Sequence, residues 1–119
     1  MNTYSIVYLK QIMTNDVNLI SEEDVPQLAD LFSLMGDTSR LRIILCCLHD
    51  PISVSDIASR TSLSQSLVSH HLRLLKAARM VRSERRGKQV FYIAADHHVQ
   101  CVIQDMVAHI TEPSNGEDD

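Results

Sequence analysis

The sequence predicts a mostly α-helical domain carrying one small β-hairpin, and three observations support that expectation. Apolar residues recur at three- and four-residue spacing through most of the stretch from Val25 to Ile110. One turn-and-strand signal interrupts them, where Gln89 to Ala94 (QVFYIA) follows Arg85-Arg86-Gly87-Lys88. A length of 119 residues with 45% hydrophobic content suits one domain with a modest core.

Residues 1–24 show no clear period, although Tyr4 to Met13 (YSIVYLKQIM) reads as a short helix or an arm. A domain is expected over 25–112. It begins with a helix in which Pro26 suits the first turn, Leu28, Leu31, Phe32 and Met35 recur on one face, and Gly36 ends the run. Asp37 or Thr38 caps a second helix through Leu48, with Leu41, Ile44, Leu45 and Leu48 inward.

Ser53, with Asp56 three residues on, resembles a capping box with Asp in place of Glu, and opens a short helix holding Val54, Ile57 and Ala58. Thr61-Ser62-Leu63 is a tight turn, and Ser64 caps the next helix. There Leu67, Val68, His71, Leu72 and Leu75 form the apolar stripe, while Gln65, Ser66, Ser69, His70 and Arg73 face elsewhere. Met80–Ser83 and Gln89–Ala94 are then two short strands around a turn supplied by Gly87. Asp96 caps a last helix with a seam of Val99, Val102, Ile103, Met106 and Ile110. Pro113 ends it, and residues 113–119 are expected to be a disordered acidic tail. Two short helices, a tight turn and a following hairpin make a winged helix-turn-helix.

A net charge of −4 argues against a nucleic-acid partner until it is divided by position. From Arg60 to Lys88 there are eight basic residues against the single acid Glu84, a local +7; the remainder carries three basic residues against fourteen acids, −11. A clustered basic surface is an electrostatic footprint for phosphates. On the recognition helix Gln65 suits an adenine edge, Ser64, Ser66 and Ser69 allow close approach to bases or phosphates, and His70 and Arg73 add base or phosphate contacts. Arg85, Arg86 and Lys88 at the wing tip suit phosphates or an adjacent minor groove. The expected partner is double-stranded DNA.

The last helix holds a second pattern. Asp96 and His98 stand at its start, His109 and Glu112 at its end. At about 1.5 Å per residue, His98 and His109 lie roughly 16 Å apart along the axis, while eleven steps of about 100° return them to nearly the same face. One ion cannot bridge that gap within a chain. An antiparallel second copy brings the two ends together, so the spacing predicts a homodimer through its terminal helices with two intersubunit metal sites. Two imidazoles and two carboxylates suit tetrahedral Zn²⁺, with Co²⁺ as a surrogate. Ni²⁺ prefers more ligands, and the first 48 residues contain no histidine to complete its shell. His97, turned about 100° from His98, is read as a solvated polar residue.

These segments, GDTSRLRIILCCL, SLSQSLVSHHLRLLKAARMV, RRGKQVFYI and DHHVQ with His109 and Glu112, resemble the ArsR/SmtB family of bacterial winged-helix metal-sensing repressors. The resemblance runs from about Val25 to Glu112. It implies that Asp96, His98, His109 and Glu112 form a zinc site, and that metal binding releases an inverted-repeat operator held by the apo-dimer. It also implies a coupling route from the second ring nitrogen of His109 to a backbone carbonyl near Arg79, at the end of the recognition helix. Relatives with a cysteine-containing box at the start of the first helix of the helix-turn-helix bind thiophilic ions; here Ser53 and Ser55 stand in that stretch, so that site is expected to be absent.

Two alternatives stay open at this point. One is a redox- or persulfide-sensing repressor using Cys46 or Cys47 with Cys101; the other is a DNA-binding dimer with purely structural zinc. Buried structural cysteine is the reading for all three thiols. No phosphate loop or nucleophile motif indicates an enzyme, and no small-molecule substrate is expected. The N-terminus lacks a basic leader and cleavage site, no apolar run is long enough for a bilayer, and three cysteines make no disulfide framework. A cytoplasmic protein is expected.

Overall fold

A computed structural model of the chain describes residues 19–113. It comprises helices α1 (Val25–Met35), α2 (Thr38–Cys46), α3 (Val54–Thr61), α4 (Gln65–Ala77) and α5 (His97–Thr111), with strands β1 (Ile52–Ser53), β2 (Val81–Arg86) and β3 (Gln89–Ala94). This is a winged helix-turn-helix. The arm expected from Tyr4 to Met13 and the acidic tail after Pro113 lie outside the described residues. The chain divides into two compact units, one running to Ser33 and one starting at Leu34. In the first, Leu28 and Phe32 of α1 are exposed.

The second unit is built on local capping. Asp37, not Thr38, caps α2, its carboxylate accepting from Arg40 N at 3.0 Å. Ser53 Oγ accepts from Asp56 N at 3.2 Å to start α3, and Ser64 Oγ accepts from Leu67 N at 3.1 Å to start α4. Each cap satisfies one of the four orphan donors of a helix start. Ser62 joins α3 to α4 in the left-handed conformation, φ 61°.

The core lies among α2, α3 and α4: Ile43, Ile44, Cys47, Ile57, Val68, Leu72 and Leu75 are all fully buried. The expected inward set of α2 is shifted. Ile43 replaces Leu45, which is 44% exposed, and Leu48 is buried beyond the helix end. On α4, Leu67 is likewise exposed. Both leucines fit the helical period but flank the face that meets the neighbouring helices.

The sheet is three-stranded and antiparallel, in the order β1-β3-β2. Ile52 and Ser53 pair with Tyr92 and Phe91, a strand the sequence reading did not include. The first hairpin strand also runs to Arg86 rather than stopping at Ser83, so Arg85 and Arg86 are strand residues and only Gly87 (φ 64°) and Lys88 turn the chain. Continued pairing of Arg85 with Val90 and Arg86 with Gln89 satisfies backbone groups that a longer loop would leave open.

His71 lies on the buried face of α4, and its Nδ1 has no hydrogen-bond partner among the described residues. Burial holds its pKa below the ordinary imidazole value, against the opposing attraction of the Asp37 carboxylate. Protonation would place an N–H on Nδ1 with no acceptor. The folded state therefore binds this proton less readily than the unfolded chain, and stability falls as pH drops below about 6.5 toward the folded value. The urea midpoint should decrease between about pH 7.5 and pH 5.5, and His71→Leu should flatten that decrease; an equal decrease in the variant would remove His71 as its cause.

Candidate nucleic-acid interface and metal-ligating helix

Burial of one face of α4 commits the other to solvent. With Val68, His71, Leu72 and Leu75 inward, Gln65, Ser66, His70 and Arg73 are exposed and Ser69 is half-buried. Ser64 is exposed too, but its oxygen is the helix cap, leaving its hydroxyl hydrogen to donate. These six residues form a polar surface of hydroxyls, an amide, an imidazole and a guanidinium, matched to the groups that meet phosphates and base edges.

Strand alternation sorts the wing cations. Arg82, Glu84 and Arg86 share one side of β2, and Arg85 takes the other. Glu84 accepts from Arg86 Nη2 at 2.6 Å and lies 4.0 Å from Arg82, while the Arg86 guanidinium sits 5.0 Å from the Phe91 ring centroid. Arg85 and Lys88 have no side-chain partner among the described residues. The three cations expected to act alike are thus unequal: Arg86 is held by a carboxylate and a ring. Glu84, which the sequence reading counted only as the lone acid of the basic segment, holds two of its arginines.

A cleft of about 430 Å³ opens between the starts of α3, α4 and β3, lined by Ser53, Val54, Ser55, Gln65, Ser69, Gln89 and Val90. Ser55 and Gln89 were not among the sequence candidates.

Helix α5 is pinned by Gln100 Nε2, which donates to Leu48 O at 2.9 Å, and by buried Ile103. Asp96 caps it, Oδ1 accepting from Val99 N at 3.0 Å. His98 lies in the exposed first turn, His109 in the exposed last turn, and Glu112 closes the helix, its N–H donating to Ala108 O. The helix is unbroken between them, so Asp96 and His98 stand at one end and His109 and Glu112 at the other. Among the described residues no three His, Cys, Asp or Glu side chains converge on one point. Of the apolar seam read from the sequence, Ile103 is buried while Met106 and Ile110, with Val107 beside them, are exposed, Ile110 by 76%.

His97 is not merely solvated: its Nε2 lies 3.2 Å from Cys101 Sγ, one turn on. Of the thiols, only Cys47 is fully buried, and burial pushes its pKa up to about 12. Cys46 and Cys101 are half-buried, correcting the expectation of three buried cysteines. Arg79 lies beyond the end of α4 rather than on it, in the left-handed conformation with φ 61°.

Residues 37–83 match the family described as bacterial regulatory protein, arsR family. The chain is 34% identical over 107 residues to a transcriptional repressor SmtB homolog of Synechocystis sp., covering 90% of this chain and 81% of that one. It is 36% identical to the HTH-type transcriptional repressor SmtB of Mycobacterium tuberculosis, over 70% of this chain and 62% of the relative. Among solved structures, reduced HlyU from Vibrio cholerae superposes with a TM-score of 0.69 at 27% identity, covering 77% of this chain and 96% of that one. Within the described residues no helix is long and apolar enough to cross a membrane.

The sorting of the wing has a measurable consequence. Each lost phosphate contact lowers the slope of log affinity against log salt by about 0.9. Arg85→Ala and Lys88→Ala should each show about that loss on duplex DNA, and Arg86→Ala distinctly less. Equal losses in all three would show that the Glu84 and Phe91 contacts do not restrain Arg86.

Proposed function

The chain belongs to the arsR family of bacterial regulatory proteins, a family of transcriptional regulators rather than enzymes, and from that premise we propose a zinc-responsive repressor. In this reading a homodimer holds an inverted-repeat operator through α4 and the wing, and zinc at two intersubunit sites opposes that binding. One observation carries it: a single unbroken helix with a carboxylate–imidazole pair at each exposed end.

The donor set fits the ion. Asp96 spends Oδ1 on the helix cap and retains its second oxygen, and His109 and Glu112 have no side-chain partner among the described residues. Asp96 and His98 of one protomer, with His109 and Glu112 of the partner subunit, would supply the two nitrogens and two oxygens of a closed tetrahedral site. Bound there, zinc would fasten the two C-terminal helices to each other, with no position left for a substrate. The exposed Met106, Val107 and Ile110 supply the apolar surface that an α5–α5 contact would bury.

Linkage makes the effect reciprocal: DNA must weaken zinc binding by the factor by which zinc weakens DNA, typically about 1–3 kcal/mol. His109 has a ring nitrogen left over for an acceptor, and the carbonyl near Arg79 is the proposed partner. The thiol reading has less support, because burial raises the pKa of both Cys46 and Cys47 and reactive cysteines need the thiolate.

Zinc titration of chelated protein tests the proposal. Wild type should bind one zinc per protomer and lose its affinity for operator DNA. Asp96→Ala, His98→Ala, His109→Ala and Glu112→Ala should each lose zinc binding while His97→Ala retains it. Unchanged stoichiometry in all four variants would refute the site, and a chelated protein that unfolds would make the zinc structural.

A further inference from the structure

Two side chains of α5 meet without taking part in the zinc proposal. His97 and Cys101 stand four residues apart on an unbroken helix, about 40° from each other around its axis, and Nε2 of the one lies 3.2 Å from Sγ of the other. His97 is exposed and Cys101 half-buried, so the pair faces solvent. A proton lies between the two atoms, carried by whichever of them donates.

Imidazole nitrogen and thiolate sulfur are both ligands of zinc-like ions, and their separation decides which geometry they can serve. Bonds of about 2.3 Å to sulfur and about 2.05 Å to nitrogen put the donors about 3.6 Å apart at a tetrahedral angle and about 4.3 Å apart in a linear complex. From 3.2 Å, the pair opens by about 0.4 Å to reach the first and by about 1.1 Å to reach the second. A small side-chain rotation is enough for the tetrahedral ion only. The donors also differ in kind from Asp96, His98, His109 and Glu112, which offer nitrogen and oxygen. A thiolate selects softer ions. Ser53 and Ser55 leave the start of α3 without one, and Cys101 places one on α5.

We infer that His97 and Cys101 form a second metal site, a chelating pair within one protomer that takes a soft divalent cation in tetrahedral coordination, its two remaining positions filled from solvent. The thiol proton leaves to solvent as the sulfur and the Nε2 lone pair bind the ion. The site needs no second protomer and none of the four proposed zinc ligands, so it stands or falls apart from the zinc reading. With two protein donors it competes poorly for zinc against a four-donor site, and one equivalent of zinc per protomer passes it by.

The test uses the full chain carrying His109→Ala and Glu112→Ala, which removes half of the intersubunit ligands, chelated and then titrated with Cd²⁺ in a phosphine reductant. Binding is read from the ultraviolet thiolate-to-cadmium charge-transfer band, which nitrogen and oxygen ligands do not give. The band should saturate at one Cd²⁺ per protomer. Adding Cys101→Ser should abolish it. Adding His97→Ala should keep the band but weaken Cd²⁺ binding by more than about tenfold, since loss of even an outer-shell partner of a metal costs about 10–100-fold. Circular dichroism of each variant checks that the helices are formed. No band in the parent, a band that survives Cys101→Ser, or a His97→Ala titration that matches the parent would each overturn the pair as a site. Cys101→Ser in the otherwise wild-type chain should still bind one zinc per protomer, and loss of that zinc would overturn the separation of the two sites.

Discussion

An α-helix has one face to bury, and the choice made by α4 governs the second unit. Val68, Leu72 and Leu75 fill the space against α2 and α3 with none of their surface left in solvent. Fully burying such a side chain is worth about 1.5–3 kcal/mol, so the helix cannot rotate without losing several of these contributions at once. The outward direction of Gln65, Ser66, His70 and Arg73 is therefore a by-product of core packing. Polar residues of a reading surface need no contacts among themselves to be aimed.

The same core anchors the wing. Cys47, fully buried at the end of α2, accepts from Ala94 N at 2.8 Å, and Met80 accepts from Ala95 N at 2.9 Å. Both bonds fix the far end of β3, leaving the turn at Gly87–Lys88 as the end that projects. Charge at that turn is then graded by strand parity: one side of β2 sets Arg82 and Arg86 around Glu84, and the other leaves Arg85 unpaired. Exposed ion pairs contribute about 0–1 kcal/mol, so Glu84 does more to position its arginines than to stabilise the fold.

What the sequence made legible was chiefly local chemistry. Ser53, Ser64 and Asp96 were readable as caps because a side-chain oxygen two or three residues ahead of a periodic run meets an orphan N–H by short-range geometry alone. The placement of His98 and His109 at opposite ends of α5 followed from helix arithmetic. Strand β1 was not readable: two residues carry no period, and its partners Phe91 and Tyr92 are some forty positions away. The extension of β2 was hidden because RSERR has no apolar alternation, its partners on β3 supplying the pairing. Leu45 and Leu67 obey the helical period, yet only tertiary packing decides which flank of a stripe is covered. The contact of His97 with Cys101 is an i, i+4 pair that spacing allowed but did not require.

The end of α4 meets the start of α5 through the backbone. Helix α4 stops at Ala77, Arg79 turns the chain with φ 61°, and Met80 follows, its carbonyl bonded to the N–H of Ala95. Ala95 immediately precedes Asp96, the cap of α5 and a proposed zinc ligand. A non-glycine residue in the left-handed region costs about 1–2 kcal/mol, so the surroundings must hold Arg79 there, and the Arg79 N–H donates to Lys76 O at 2.9 Å. The end of α4 and the start of α5 are thus joined within one protomer by a backbone hydrogen bond that continues the β2–β3 ladder. Any constraint placed on Asp96 acts one residue from that bond, whereas the His109 route begins at the far end of α5. The two ends of α5 are unequal in this respect, although each carries one carboxylate and one imidazole of the proposed site.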